Sequence, residues 1–304
     1  MQARPADART DITPLPDTGS VVVIFLVLRR VPCQLKTTGR VSAPTQLHSG
    51  DSPMSLRKYA PVGIMFALDK ELRRYLDRLA YHAVHNVAGL EIFEGEFADH
   101  RVMLTNAGLG KVNASIAATL LCDRFECGMI VFPGLAGGLA PGLEAGDLVV
   151  ATELVQHDYG DWIDGKFRLT QPCPPPGLPK PGAGFLLSSD VEFIARQVAS
   201  TFEDRRVERP MKIHFGPVIS GDIFVLCKST RERLFVEHRA LALEMEGAAI
   251  AQVAQRFGRQ HLVVRVIGDL ADARYKLDER TKLERLDAAA DFVEKVVNML
   301  TNGA

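Results

Sequence analysis

The chain has 304 residues, 47% of them hydrophobic and 24% charged, with a formal net charge of -1. That length and apolar content suffice for a substantial core in one large domain or two small ones, and a near-neutral charge with no dense Lys/Arg cluster excludes nucleic acid as an electrostatic partner. The five cysteines, Cys33, Cys122, Cys127, Cys173 and Cys227, are odd in number and form no CxxC pair, so neither a disulfide framework nor a zinc site is expected and a reducing cytoplasm fits.

Residues 1–55 are rich in Pro, Thr, Ser and Asp and show no sustained period. They read as a disordered extension or a mis-assigned start, with Met54 as the alternative first residue. Their apolar run "VVVIFLVL" at 21–28 is too short to span a bilayer of roughly 30 Å as a helix, so no membrane association is expected. No small-residue cleavage site follows it closely. Residues 56–304 carry the regular patterns of a folded domain.

From residue 60, "APVGIMFAL" predicts a buried strand and "DKELRRYLDRLAYHAV" a helix with Leu72, Tyr75, Leu76 and Leu79 on one face. "LEIFEGEFADHRVMLTNAG" (90–108) reads as two strands around a turn, and "NASIAATLLCDRF" as a small-residue helix. "CGMIVFPGLAGGLAPGLEAGDLVVATELVQHD" holds a buried strand, a glycine-rich turn and a further strand. Residues 160–184, dense in Pro and Gly, are expected to form a surface loop of a length that is often functional. There follow a helix in "DVEFIARQVASTFED", a strand in "KIHFGPVISGDIFV", a helix in "STRERLFVEH", a helix after "LEME", the strand "VVRVIGDLAD" and a final amphipathic helix. Such alternation predicts an α/β domain with helices on both faces of a mainly parallel sheet.

In sheets of this kind ligands lie at the carboxyl ends of the strands. Small residues and isolated acids recur at those ends, beside Glu71, in "NAGLG", "PGLAGG" and "SGDIF", and at Gly268-Asp269. Arg265 stands among Val and Ile, where a charge must be paired or used. A structural ion pair with a distant acid is its plainer role, and capping of the next segment is the plainer role of Asp269. Glu244 and Glu246 flank Met245 at a helix start, where the backbone dipole favours an acid. "PGLAGG" lacks both the G-x-G-x-x-G register and a P-loop lysine, which excludes the nucleotide-phosphate motifs. His157 reads as a packed or interface histidine and not a catalytic one.

Together, "VGIMFALDKEL", "NAGLGKV", "GLAGGLAPGLEAGDLVVATELVQHD", "SGDIF", "LEMEGAAIAQV" and "VVRVIGDLAD", in that order, resemble the purine nucleoside phosphorylase superfamily, and specifically its 5′-methylthioadenosine/S-adenosylhomocysteine nucleosidases. The resemblance implies a three-layer α/β/α sandwich with a mixed, mostly parallel central sheet, a homodimer, and no metal or cofactor. It makes Asp269 the acid that protonates adenine N7, Glu71 the acid that holds the attacking water, and Arg265 its orienting neighbour. Met245 and Glu246 match the ribose site, and Phe224 and Val225 the adenine site. Ala107, beside Gly108, and Gly268 stand where these nucleosidases usually carry serine, so water placement and orientation of the acid are expected to differ. A carboxylate at Glu71 favours water over phosphate by repulsion. The alternatives are an adenosyl-hopanoid or futalosine-type 5′ group, a phosphate-dependent phosphorylase, or a non-catalytic nucleoside-binding protein.

Overall fold

In the computed structural model, the residues described are 60–302 apart from 98, 171, 173, 175–183, 205, 207–208 and 272–276. The expected extension at 1–55 lies outside them. The first apolar run forms β1 (Val62–Phe66), buried throughout, and leads into α1 (Asp69–Leu76). Here the expected helix is cut short: its second half is β2 (Ala80–Val87), paired antiparallel with β3 (Leu90–Phe97). Tyr81, Val84 and Val87 suit a strand as well as a helix face, and the neighbouring strand decides between them.

β3 pairs with β4 (His100–Asn106) as expected, and α2 (Lys111–Asp123) follows. β5 (Met129–Gly138) carries straight through "PGLAGG", so the expected turn is strand: Gly137 and Gly138 pair with a later strand. β6 (Leu148–Gln156) comes next. The expected loop opens with a hairpin, β7 (Gly160–Ile163) and β8 (Lys166–Leu169). Its turn is Asp164-Gly165, both with positive φ, the Asp-Gly pair that two-residue hairpins favour. β9 (Phe185–Leu186), α3 (Ser189–Thr201), β10 (Ile213–Ser220), α4 (Lys228–His238), β11 (Ala242–Glu244), α5 (Gly247–Arg256), β12 (Gln260–Asp269) and α6 (Glu279–Asn302) complete the order.

The strands form a mixed sheet in the order β11-β10-β6-β12-β5-β1-β4-β3-β2, with β9 beside β6. Because β11 pairs with both β10 and β5, five strands close on themselves and the glycine-rich end of β5 lies against β11. Helices cover both faces. Residues of α1, α3 and α6 join one apolar core with Val264 and Val266, and those of α2 and α5 join another with Val263 and Ile267. β12, buried on both sides at the centre, therefore has no water to solvate the charge in its middle, Arg265.

Candidate active site

The carboxyl ends of β1, β5, β10, β11 and β12 surround a cavity of about 400 Å³, to which Glu71, Glu246, Arg265 and Asp269 all contribute. Met245, Phe224, Val225 and Gly268 line it as well. Ala107 and Gly108 do not: they sit on the turn after β4, which presents Leu109 to the cavity instead.

Glu71 lies in the first turn of α1 and is 3% exposed. Its Oε2 accepts bonds from the Leu68 and Ala67 backbone N–H groups at 3.1 and 3.3 Å, and its Oε1 accepts one from Leu135 N–H at 3.0 Å. Burial raises its pKa, against the lowering influence of Arg265 and these donors. The donors fix the carboxylate in place, and burial makes it a stronger base than an exposed carboxylate.

Arg265 is 1% exposed and pairs with Glu244, Nη2 to Oε2 at 2.5 Å, with Glu246 Oε2 at 3.9 Å. Its guanidinium lies 3.8 Å from the centre of the Phe132 ring. Gly134 on β5 makes this packing possible: a Cβ there would stand 2.5 Å from Arg265 Nη1 and 2.9 Å from Glu71 Oε1. The arginine thus forms the structural ion pair that was its plainer expected role, and it also lines the cavity.

Glu244 is the residue whose importance the sequence understated. Besides holding Arg265 it accepts bonds from Glu246 N–H and Gly247 N–H, at 3.1 and 2.8 Å, and from the Ser220 hydroxyl. It anchors the start of α5 and so sets where Glu246 points. Glu246 accepts a bond from Gly110 N–H at 2.7 Å, and burial with the like charge of Glu244 pushes its pKa up to about 7 against the pull of Arg265. Two acids two residues apart in sequence were the available signal, and only the fold separates their tasks.

A backbone irregularity between Ile267 and Asp269 ends the ladder of β12 and leaves Asp269 half-buried opposite Gly137. Asp269 Oδ1 accepts a bond from Ala271 N–H at 2.7 Å, a local turn bond and not the expected helix cap, since the next helix among the described residues begins at Glu279. Val225 is buried, whereas Phe224 is 69% exposed at the rim. The loop that carries them is tied down through Asp222, whose N–H donates to Asp158 at 2.8 Å, and Lys111 bonds Asp158 at 2.5 Å. His157 is buried, as a packed histidine should be, with its pKa lowered by burial, and it does not line the cavity. Among the described residues no cluster of His, Cys, Asp or Glu has the makings of a metal site, and no helix is long and apolar enough to cross a membrane.

A family model described as "Phosphorylase superfamily" matches residues 61–301. A 5′-methylthioadenosine/S-adenosylhomocysteine nucleosidase of Mycobacterium bovis is 37% identical over 225 residues, covering 71% of this chain and 88% of the relative. Among solved structures, the nucleosidase of that name from S. pneumoniae, with a transition-state inhibitor, superposes with a TM-score of 0.67 at 26% identity, covering 78% of this chain and 98% of the other. The futalosine hydrolase of Helicobacter pylori superposes with a TM-score of 0.66 at 28% identity, covering 78% and 97%.

Proposed function

The chain belongs to the phosphorylase superfamily and, within it, to the 5′-methylthioadenosine/S-adenosylhomocysteine nucleosidases, and from that premise we propose that the cavity at its strand ends is where the N-glycosidic bond of these nucleosides is hydrolysed. The chain is an N-glycosyl hydrolase of purine nucleosides. The observation that carries the assignment of residues is the convergence on one cavity of Glu71 from α1, Glu246 from the head of α5, and Arg265 and Asp269 from β12.

In this reading adenine lies against Phe224 and Val225, where a flat, weakly polar base finds apolar surface. Asp269 gives its proton to adenine N7 as the C1′–N9 bond breaks, so the bonding pair leaves on a neutral base and C1′ becomes oxocarbenium-like. Glu246 accepts the bonds of the 2′ and 3′ hydroxyls beside Met245. Glu71 holds a water and takes its proton as the oxygen bonds C1′, with the Arg265 charge nearby. The raised pKa of Glu71 suits that task. An anionic Glu71 also repels phosphate, which favours water as the nucleophile.

The same reading takes residues 56–304 as the catalytic domain and the molecule as a homodimer. Leu109, Val112 and Ile223 are exposed apolar side chains on the elements around the mouth, a surface suited to a partner subunit. Cys122 and Cys127 are buried free thiols, in keeping with a reducing, cytoplasmic setting. The likeness to the futalosine hydrolase supports a second reading, in which the same chemistry acts on a nucleoside with another 5′ group.

The test is adenine release from 5′-methylthioadenosine in phosphate-free buffer. Release is expected without phosphate, and Asp269→Asn should slow it by about 10²- to 10⁴-fold. Turnover that requires phosphate and yields a ribose 1-phosphate would replace hydrolysis by phosphorolysis, and an undiminished Asp269→Asn variant would remove Asp269 from the proton path.

A further inference from the structure

Among the described residues, the cationic side chains that line the cavity are Arg265, Lys70 and Lys282. Arg265 is committed to Glu244. The two lysines come from α1 and α6, far apart in sequence, and meet through a shared carboxylate. Glu279 accepts a bond from Lys282 Nζ on Oε1 at 2.7 Å and one from Lys70 Nζ on Oε2 at 3.4 Å. The Lys282 side chain is only 15% exposed, that of Lys70 is 39% exposed, and Glu279 is open to solvent at 68%.

Two ammonium groups on one carboxylate leave a positive charge in excess, beside the apolar lining of Ala67 and Leu68. A half-buried ammonium on an apolar wall is stabilised by an anion brought to it. With adenine placed against Phe224, Val225 and Asp269, and the ribose against Met245, Glu246 and Glu71, these lysines are, among the described residues, the cationic lining left for whatever C5′ carries. A thiomethyl group offers them no charge. An amino-acid thioether offers a carboxylate for the lysines and an ammonium for the exposed Glu279.

We propose that Lys70 and Lys282 bind the carboxylate of the 5′ substituent, with Glu279 receiving its ammonium, so that S-adenosylhomocysteine is favoured over 5′-methylthioadenosine. The proposal rests on the nucleosidase reading above and names the determinants of its substrate preference.

The experiment compares kcat/KM for the two nucleosides in wild type, Lys282→Met, Lys282→Arg and Lys70→Met, with Tm measured for each. The ratio of S-adenosylhomocysteine to 5′-methylthioadenosine is expected to fall about fivefold in Lys282→Met, chiefly through KM, since one ion pair at a partly exposed site is of that order. It should fall less in Lys70→Met and recover in Lys282→Arg. Raising the salt should lower the same ratio in wild type. A ratio unchanged in both methionine variants, whether the two rates hold steady or drop in parallel, would overturn the proposal while leaving the nucleosidase reading intact. Absence of adenine release by wild type from either nucleoside would overturn both.

Discussion

Glu244 shows how one side chain sets up a site it does not need to react in. Its carboxylate accepts from the Ser220 hydroxyl, from two backbone N–H groups at the head of α5 and from Arg265. A buried pair of this kind is weak evidence for stability in itself, but removing one partner strands the other. Glu244→Gln is therefore expected to destabilise the protein by about 3 kcal/mol, seen in denaturant unfolding, and to lower kcat as Arg265 and Glu246 lose their setting. Retention of both stability and kcat would mean that Glu71 and Glu246 suffice to compensate Arg265. The acids and the arginine were legible in "LEMEG" and "VVRVIGD"; their pairing was not, because residues 244 and 265 lie on different strands and charge alone does not choose a partner.

Among the elements, β5 and β12 carry the most. Gly134 faces the Glu71 carboxylate and the Arg265 guanidinium so closely that a methyl group has nowhere to go. Gly134→Ala is expected to cut kcat by about 100-fold, because a displacement of about 1 Å at a positioned group has that effect, with a stability loss of about 1–3 kcal/mol from overpacking. Kinetics near wild type would show that these two side chains tolerate displacement. The glycine-rich stretch looked like a turn because glycine usually marks one, yet here it lets a strand run close to buried charges and to β11. The opposite error befell residues 80–87, whose alternating apolar residues joined a helical pattern until β3 supplied strand hydrogen bonds. The hairpin at 160–169 falls inside the expected loop; its signal was "WIDGKF", where Asp-Gly separates two short aromatic-bearing strands, and the Pro and Gly that follow masked it.

At the scale of the whole molecule, gathering these acids in one enclosure ties function to stability. Glu246 has a folded pKa of about 7 against an ordinary 4.5, from burial and from Glu244. Its protonated form stabilises the fold fully below the ordinary value, and that contribution is lost as pH rises through about 7. Between pH 5 and 8 the Glu246→Gln variant should therefore gain on wild type by on the order of 2–3 kcal/mol, measured by denaturant unfolding at both values, while binding ribose more weakly. A stability difference that does not change with pH would show that Glu246 titrates as an ordinary carboxylate. The sequence by itself determined the α/β class, the order of most elements and the strand ends at which acids and small residues gather, because hydrophobic period and turn chemistry are local properties. Tertiary structure alone decided that Arg265 pairs with Glu244, that "PGLAGG" is strand, that Leu109 rather than Ala107 meets the cavity, and that Lys70 and Lys282 share Glu279. Each of these depends on distances between residues remote in the chain, which the packing of helices on a closed group of strands fixes and local pattern does not.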